Sequence, residues 1–522
     1  MAKNDGPEFE KLGMIGVGSM GGMMSLLYAE YGVEIHYYDP SEENVNKLRE
    51  YARNAGHNVD HLIVHQNDYK ELCESLEAPN EPKLFVFSIP HGAVGDESVK
   101  GLRPYLKKGD IILDCSNEHW TNTERRQKDL EPDGIHYIGC GVSGGYQSAR
   151  HGPSMSPGGN SEALQKVMPF LQRVAAKDKQ GRPCVTPIGP GGSGHYVKMV
   201  HNGIEQGMMS AVAEVWYIMN RCLGMEYDEI ANIFESWNAK GPLRDNFLVS
   251  IGIDINRSKD KDGNYVLTNV QDKVVQDADD SEGTGIWTCT ETIRLHVPSP
   301  TILTAHSFRL GSADRSQRLA VNKSFNGGTQ PSKIKLAGSD DNTKSKTAFI
   351  NDLQHALFAT FLCSFIQGLH ILKRMDAQQS WNLDYRNIIQ IWRGGCIIQS
   401  DYISDLLDHV FEQPNETDDG SLLSVASIGD ELSQAFTSLK NVVLRSIEAD
   451  AYVPSLSATL EYIKYSASTD LPTQFMEAEL DFFGAHNYDL KSEGPGKPVK
   501  GRHHYEWRPA RGIVDDERGG GK

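Results

Sequence analysis

KLGMIGVGSMG, residues 11–21, is a short apolar run that turns into glycines. Residues 22–30 then read as a helix, and residues 33–39, VEIHYYD, alternate as a strand does. A strand, a glycine-rich turn, a helix and a second strand therefore follow one another. This alternation continues and predicts a doubly wound α/β domain of the Rossmann type. Helix-like segments separate three further strand candidates, at 83–89, 110–114 and 135–139.

The glycines of this turn are spaced as Gly16-x-Gly18-x-x-Gly21, and Asp39 ends the next strand. Such glycines permit a tight turn and let a pyrophosphate approach the free N–H groups of a helix N-terminus. The context predicts a dinucleotide site, although an ordinary glycine-rich turn has the same pattern. A carboxylate at Asp39 would accept hydrogen bonds from ribose hydroxyls and repel a 2′-phosphate, which favours NAD over NADP. The alternative role for Asp39 is that of a helix N-cap or turn residue before Pro40.

The pattern changes near residue 195, because strand-like segments become rare and helical periodicity dominates. Residues 351–373 and residues 431–449 both carry apolar side chains at helical spacing. A large, mostly α-helical second domain is therefore expected. The predicted division is a Rossmann domain over 1–195, an all-helical domain over 196–486 and a C-terminal tail over 487–522.

The 522-residue chain has 52 Lys and Arg against 70 Asp and Glu, a net charge of −18. That excess of acid disfavours nucleic acid as a partner, because phosphate contacts need a clustered basic surface. The eight cysteines form no CxxC pair, so neither a disulfide framework nor a metal site is predicted. No uninterrupted apolar run of about 18 residues stands out, so no membrane partner is predicted. We expect a soluble cytoplasmic protein.

The most informative polar residues lie in HYVKMVHNGIEQ, residues 195–206. Lys198, His201, Asn202 and Glu205 are spaced 0, +3, +4 and +7, so they share one face of a helix among apolar neighbours. Burying these groups unpaired is costly, so they should bond one another or a ligand around a polar cavity. A solvated face with one Lys–Glu pair is the simpler alternative. The functional interpretation supplies a base, an acid and two groups that bind hydroxyls.

Seven short motifs follow one another along the chain. They are GVSGG at 141–145, GPS at 152–154, PGGN at 157–160, KMVHNGIE at 198–205, GTGIWT at 283–288, WRGGCII at 392–398 and DFFGAH at 481–486. Through this set the chain resembles the family of decarboxylating 6-phosphogluconate dehydrogenases over nearly its whole length.

The resemblance implies a Rossmann domain, a large helical domain and a homodimer whose C-terminal tail reaches into the neighbouring subunit's active site. It also implies a reaction. Neutral Lys198 would take the proton of the C3 hydroxyl of a sugar acid while hydride passes from C3 to nicotinamide. The 3-keto acid would lose CO2, and Glu205 would protonate the enediol to give a ketopentose. Burial of the polar row would lower the pKa of such a lysine base by desolvation.

The same resemblance implies which residues bind the two small molecules. The implied sugar-acid residues are Asn117, Ser143, Gly144, Gly145, His201, Asn202, Thr284, Arg309 and His486. The implied cofactor residues are Gly16, Gly18, Met20, Gly21, Asp39, Pro90 and Asn117.

Three groups that grip the 6-phosphate in this family are altered. The tyrosine after the acidic residue is Gln206, the lysine before the motif threonine is Glu282, and the tail arginine is Leu480. A Glu in place of a Lys reverses a charge beside a dianion. Either the distal group of the substrate is less anionic than phosphate, such as a hydroxyl or a sulfonate, or tail cations of the partner subunit supply the charge. The candidate tail cations are Arg502, His503, His504 and Arg508.

The cofactor end departs from the family too. The family's Asn-Arg-Thr after the second strand, with the arginine on the 2′-phosphate, is DPS at 39–41, and its Val-Lys-Ala is IPH at 89–91. NAD is therefore the predicted cofactor, with NADP the less favoured one. Two other functions stay open. They are a β-hydroxyacid dehydrogenase acting on a non-phosphorylated or sulfonated sugar acid, and a non-catalytic nucleotide-binding paralogue.

Overall fold

The computed structural model describes residues 9–79, 81–276, 283–336, 342–413, 421–496 and 499–508. The chain divides into two compact units, Met1–Tyr462 and Ile463–Lys522. The first unit contains the α/β part and most of the helical part. The second contains the last helix and the C-terminal segment.

The described residues of the N-terminal part form one seven-stranded sheet, with strands β1 Lys11–Ile15, β2 Glu34–Tyr38, β3 Ile63–His65, β4 Leu84–Phe87, β5 Ile111–Asp114, β6 His136–Ser143 and β7 Ser154–Gly158. Their order in the sheet is β3-β2-β1-β4-β5-β6-β7. The first six strands run parallel, and β7 pairs antiparallel with β6. The order reverses between β1 and β4, and the carboxyl ends of these two strands form the crevice in which doubly wound sheets bind ligands.

Helices cover both faces of this sheet: α1 Ser19–Glu30, α2 Glu42–Ala55, α3 His57–Asp60, α4 Tyr69–Ser75, α5 Ala93–Leu102, α6 Trp120–Leu130, α7 Gly145–His151 and α8 Ser161–Val174. Strands β4 and β5, with the sequences LFVF and IILD, are buried at every residue. Strands covered on both faces have this nearly continuous apolar composition.

The predicted doubly wound α/β domain is confirmed. The candidates at 83–89, 110–114 and 135–139 correspond to β4, β5 and β6, and β6 continues to Ser143. Strands β3 and β7 were not predicted. The first has three residues, and the second, SMSPG, ends in a proline and a glycine, which are both depleted in strands.

The helical part confirms the second prediction. Its helices are α9 Ser193–Tyr217, α10 Tyr227–Ala239, α11 Phe247–Arg257, α12 Thr284–Arg294, α13 Pro300–Ala313, α14 Arg315–Ser324, α15 Asn342–Gln379, α16 Tyr385–Ile391, α17 Asp401–Glu412, α18 Ala426–Glu448 and α19 Pro454–Ser466. The long helix α15 packs against α9 and α18. Residues 351–373 lie within α15, and most of 431–449 lies within α18.

Helix α15 is unusually apolar. Among the described residues, one helix is long and apolar enough to cross a membrane, judged by length and composition alone. It is the stretch Lys344–Gln379 of α15. However, 89% of its most apolar window is buried within the protein. The central helix of a globular core passes the same test, so the finding is weak evidence for a membrane span.

The second unit is organised around a buried carboxylate. Helix α20, Thr473–Gly484, carries Asp481, whose two oxygens accept hydrogen bonds from the backbone N–H groups of Asn487 and Tyr505 and from the side chains of His504 and Trp507. These bonds hold the pKa of Asp481 well below its usual range against the effect of burial. The unit begins within α19. The domain boundaries predicted at 195 and 486 stay predictions.

Candidate active site

The glycine-rich turn has the shape that a dinucleotide needs. Gly16 has a φ of +85°, and a Cβ there would lie 2.3 Å from the carbonyl oxygen of Ser88. A Cβ on Gly21 would lie 2.1 Å from the carbonyl oxygen of Gly16, whereas one on Gly18 would meet nothing within 4 Å. The open side at Gly18 lies at the N-cap of α1, where free N–H groups and the helix dipole favour a pyrophosphate. These residues therefore fit the predicted cofactor.

Asp39 joins this turn to the one that follows β2. Its carboxylate accepts hydrogen bonds from the backbone N–H of Val17 at 2.7 Å and of Ser41 at 2.8 Å, and from Asn44 Nδ2 at 3.2 Å. Asp39 is 8% exposed. The carboxylate thus has the structural role of a turn residue, which was the alternative interpretation, and it also brings a negative charge to the edge of the glycine-rich turn.

The other predicted cofactor residues lie at the same edge of the sheet. Met20 is half-buried in the first turn of α1. Pro90 follows β4 and Asn117 follows β5, and both are exposed. Because the carboxyl ends of parallel strands meet at one edge, these residues border the crevice beside Gly18.

The predicted polar row lies on α9 and is hydrogen-bonded. Lys198 Nζ donates to Asn202 Oδ1 at 2.7 Å, and His201 Nδ1 lies 3.0 Å from the same oxygen. Asn202 Nδ2 donates to Thr284 Oγ1 at 3.0 Å. Lys198 is 8% exposed and His201 1%. The interpretation as a solvated face is therefore wrong, because Lys198 and His201 are buried and Asn202 is half-buried, and these three bond one another as the cost of desolvation requires.

His201 connects this row to two residues that are distant in the sequence. Its Nε2 lies 2.8 Å from Ser143 Oγ and 3.0 Å from Cys396 Sγ. The ammonium form of lysine can only donate, which fixes the orientation of the Asn202 amide and makes His201 Nδ1 a donor. Burial, helped by the positive charge of Lys198, lowers the pKa of His201 well below its usual range. A neutral imidazole then accepts at Nε2.

Cys396 is the site residue that sequence reasoning missed. It belongs to the motif WRGGCII, but nothing in its spacing indicates contact with His201. Burial raises the pKa of its thiol to about 12, so it stays protonated and can donate to the histidine.

Close backbone contacts set the distance between α9 and the sheet. A Cβ on Gly141 would lie 2.2 Å from Lys198 Cβ, so β6 must carry glycine for α9 to pack here. Gly144 has a φ of +101° and a Cβ there would lie 2.4 Å from the carbonyl oxygen of Gly395. The next residue, Gly145, begins α7 with open space at its Cβ position. The predicted Ser143-Gly144-Gly145 loop thus lies directly beside the polar row.

Glu205 lies at the open end of the row. It lines a cavity of about 1340 Å³ together with Asn202, Gln206, Thr284 and Arg309. Glu205 Oε2 is 3.7 Å from His201 Nδ1. The structure therefore brings Lys198, Ser143, His201, Asn202, Glu205, Thr284 and Arg309 to one region.

The three altered phosphate-binding positions are found in different parts of the chain. Gln206 is 5% exposed, and its Oε1 lies 3.0 Å from His306 Nδ1, so its side chain is engaged inside the helical part. Glu282 lies outside the described residues. Leu480 and the predicted site residue His486 lie in the second unit.

Three of the four candidate tail cations are paired with acids of their own unit. Arg502 Nη2 lies 3.2 Å and His503 Nε2 3.1 Å from Glu493 Oε1. His504 Nδ1 lies 2.9 Å from Asp481 Oδ1. These contacts weaken the case for Arg502, His503 and His504 as replacement phosphate ligands.

Fold and site together define a class of protein. A glycine-rich turn at the reversal point of a Rossmann sheet, combined with a buried lysine, histidine and asparagine beside a glutamate, is typical of oxidoreductases that take hydride from a hydroxy acid. Comparisons with known proteins specify the family. Residues 11–189 match the model of the NAD binding domain of 6-phosphogluconate dehydrogenase, and residues 194–507 match that of its C-terminal domain.

Individual relatives agree over nearly their whole length. The chain is 45% identical over 510 residues to the decarboxylating 6-phosphogluconate dehydrogenase of Emericella nidulans, covering 94% of this chain and 100% of the relative. It is 34% identical to the NADP(+)-dependent decarboxylating enzyme of Bacillus subtilis, covering 95% and 99%. The solved Plasmodium falciparum 6-phosphogluconate dehydrogenase, described in its apo form and with NADP+ and 6-phosphogluconate, superposes with a TM-score of 0.80 at 30% identity and covers 95% and 100%.

The chain belongs to the decarboxylating 6-phosphogluconate dehydrogenase family.

Proposed function

We propose that this chain oxidatively decarboxylates 6-phosphogluconate, or a closely related C6 aldonate, to a ketopentose with reduction of a nicotinamide cofactor. The observation that carries the proposal is the buried row on α9, in which Lys198 and His201 both donate to Asn202. The row ends at Glu205 in a cavity that also contains Arg309. Burying these polar groups costs free energy, and a non-catalytic protein would gain nothing in return.

Lys198 is the base of the oxidation step. A bound nicotinamide cofactor would supply the acceptor for the hydride of C3. Neutral Lys198 takes the proton of the C3 hydroxyl, and the charged amine then polarises the new carbonyl while the neighbouring carboxylate leaves as CO2. Asn202 orients the amine through its Oδ1, and neutral His201 leaves the site without a second cation that would compete for this role.

Glu205 is the acid of the last step. As CO2 leaves, the proton of the Lys198 amine passes to the former carbonyl oxygen, which gives an enediol. Glu205 then donates a proton to the carbon that lost CO2 while Lys198 takes the hydroxyl proton back, and the ketopentose forms. The carboxyl group lies on the same face of α9, seven residues after Lys198, so base and acid approach the substrate from one side. Ser143, Thr284 and Asn117 are the proposed partners of the hydroxyl and carboxylate groups.

The substrate's distal group can be tested directly. Purified protein is assayed for cofactor reduction and CO2 release with 6-phosphogluconate, gluconate and a 6-sulfonated analogue. Efficient turnover of 6-phosphogluconate supports the proposal and removes the idea of an altered substrate. Turnover of gluconate or the sulfonate alone would instead connect Gln206 and Leu480 with a less anionic distal group. Turnover of none of the three would contradict the proposed function.

NAD is the proposed preferred cofactor. Asp39 places a carboxylate at the end of β2, and Pro40 offers no cation for a 2′-phosphate. Like charges about 4 Å apart cost on the order of several kcal/mol at an effective dielectric near 20. By contrast, the names of the Bacillus subtilis and Plasmodium falciparum proteins mention NADP, so the proposed preference for NAD would distinguish this chain from those two relatives.

A cofactor swap tests this preference. The ratio of kcat/KM for NAD to that for NADP is measured for the natural chain and for the double substitution Asp39→Asn with Pro40→Arg. We expect the ratio to exceed one in the natural chain and to fall in the variant. Lys166→Met, a change on the surface of α8 outside the turn, is the control. A natural chain that uses NADP better contradicts the preference.

A homodimer with exchanged tails is the proposed assembly. The second unit exposes large apolar side chains, with Phe475 71%, Phe483 71% and Val499 73% accessible. The cavity of the first unit is bordered by Phe308 and Phe325, which are 41% and 66% exposed. Exposed apolar side chains that lie together are typical of protein interfaces, which supports the proposed assembly.

Complementation tests the exchange. Lys198→Met and His486→Ala variants are each inactive in this scheme. When they are unfolded and refolded together, mixed dimers regain one intact site, because the tail of the first variant serves the other subunit. Activity that does not return, although mixed dimers form, contradicts the exchange.

A further inference from the structure

Arg126 is a buried cation that the steps above do not use. It lies on α6 with 2% of its side chain exposed. Nη2 donates to the carbonyl oxygen of Gly92 at 2.8 Å, and Nη1 donates to Glu118 Oε2 at 2.7 Å. The same Glu118 oxygen accepts the backbone N–H of Gly92 at 2.9 Å. Arg126, Glu118 and Gly92 therefore form a closed ring of three contacts.

The ring joins the two loops that border the cofactor crevice. Loop 88–92 follows β4 and carries Pro90, and loop 115–118 follows β5 and carries Asn117. A further hydrogen bond, from Ile89 N to Ser116 Oγ at 3.2 Å, connects the same loops. These contacts lie beyond the ends of the two strands, where the ladder of the sheet no longer sets the spacing.

The network also reaches the helix that carries the base. Arg126 Nη1 donates to Tyr137 Oη at 3.2 Å, and Tyr137 donates to Asp114 Oδ2 at 2.5 Å. The backbone carbonyl of Asp114 lies 3.0 Å from Nε2 of His195. His195 stands three residues before Lys198 on α9.

Stability alone is a weak reason for such a pair. Taking an arginine and a glutamate out of water costs about as much as their attraction returns, so a buried pair is weak evidence for added stability. The space around the guanidinium is tight, since a Cβ on Gly95 would lie 2.5 Å from Nη2. A fixed guanidinium in a fixed space holds its partners at set distances.

We propose that Arg126 and Glu118 are positioning residues for hydride transfer. By setting the spacing between the loop with Pro90 and the loop with Asn117, the pair sets where nicotinamide lies relative to the sugar acid. The proposal rests on the proposed function. A misplacement of about 1 Å in such an arrangement can cost roughly 100-fold in rate.

The chain offers a matched control beside Arg126. Arg125 is the residue before Arg126 on α6. Its Nη2 lies 2.8 Å from Asp96 Oδ1, and its side chain is 47% exposed. Arg126→Met and Arg125→Met are compared by thermal unfolding, by calorimetric titration with the nicotinamide cofactor alone, and by kcat, KM and the isotope effect of substrate deuterated at C3. Arg126→Lys tests rescue, because lysine keeps the charge without the two-pronged geometry.

We expect Arg126→Met to weaken cofactor binding about tenfold, to lower kcat by roughly 100-fold and to raise the isotope effect, because hydride transfer becomes slower. Arg126→Lys should recover part of kcat, and Arg125→Met should stay within about twofold of the natural chain. If Arg126→Met does not fold, Glu118→Gln is measured in its place. It should also weaken cofactor binding, lower kcat and raise the isotope effect, each by a smaller factor. The proposal is overturned if folded Arg126→Met or Glu118→Gln has the cofactor dissociation constant, kcat and isotope effect of the natural chain. It is also overturned if Arg126→Met and Arg125→Met have equal effects. If the natural chain does not turn over any aldonate, the proposed function fails, and the cofactor titration still decides whether the pair positions the loops.

Discussion

Lys198 and Asn202 are joined across one turn of α9 by a hydrogen bond of 2.7 Å between Nζ and Oδ1. The same oxygen accepts from His201, and the amide nitrogen of Asn202 donates to Thr284. Asn202 therefore fixes the direction of the lysine amine through groups on two helices. Because an amide is uncharged, it orients the amine without the stabilisation of the ammonium form that a carboxylate partner would provide.

Removing the base should abolish turnover but spare cofactor binding. Lys198→Met keeps an unbranched side chain without the terminal amine and leaves Asn202 with His201 as a donor. We expect kcat to fall by about 10³-fold or more, within the range of general-base catalysis. The cofactor dissociation constant, measured by calorimetry, should stay within about twofold. Lys166→Met, on the surface of α8, is the control. Retained turnover would remove Lys198 from the mechanism.

Replacing the acid should separate the two halves of the reaction. Glu205→Gln retains hydrogen bonding but carries no acidic proton. Hydride transfer should then proceed once, so that rapid mixing shows a burst of reduced cofactor, while the steady-state rate falls by about 10²-fold. Loss of the burst together with the steady-state rate would show that Glu205 acts before or during oxidation.

The Rossmann domain could be predicted because its evidence is local. Residues 11–39 contain a strand, a turn and a helix whose patterns depend on near neighbours alone. The row from Lys198 to Glu205 was predictable for the same reason, since helical spacing puts its members on one face. Strands β3 and β7 were missed because β3, with three residues, is too short to show a pattern, and because Pro157 and Gly158 within β7 argue against a strand.

Contacts between distant segments could not be predicted. Ser143 and Cys396 meet at His201 because β6 and the loop after α16 converge on α9, which no spacing in the sequence indicates. Asp39 shows a second kind of limit. Its place after β2 was predicted, but its three hydrogen bonds to Val17, Ser41 and Asn44 depend on how two turns pack.

Substitutions at two glycines of the turn should differ in effect, one changing the stability of the fold and the other the affinity for the cofactor. Gly21→Ala should destabilise the fold, because its Cβ would lie 2.1 Å from a backbone oxygen. Gly18→Ala should keep the melting temperature, since φ is −63° and its Cβ meets open space. It should nevertheless weaken cofactor binding about tenfold, because that space is where the pyrophosphate lies. Unchanged affinity in Gly18→Ala would place the cofactor elsewhere.

A buried glutamate on α9 should make stability depend on pH. Glu214 accepts hydrogen bonds from the backbone N–H groups of Ser455 at 2.8 Å and Leu456 at 3.0 Å, at the start of α19, and from Ser210 Oγ at 2.8 Å. Burial outweighs these bonds and raises the pKa of Glu214 from 4.5 to about 7. A raised carboxyl pKa means that the folded state holds the proton more tightly. Its contribution to stability is therefore complete below pH 4.5 and is lost as the pH rises to about 7.

Glu214→Gln should remove this dependence, since the amide is neutral at every pH. Below pH 4, where the carboxyl contribution is complete, the variant should be less stable by about 1 kcal/mol, because one backbone N–H of α19 loses its acceptor. Toward pH 8 the difference should reverse, since the natural carboxyl loses up to roughly 3 kcal/mol at about 1.4 kcal/mol per pKa unit. Urea unfolding at fixed protein concentration measures both, with the exposed Glu448→Gln as control. Parallel stability curves would mean that the three donors keep Glu214 ionised in the folded chain, and that α9 holds the start of α19 by a charged cap.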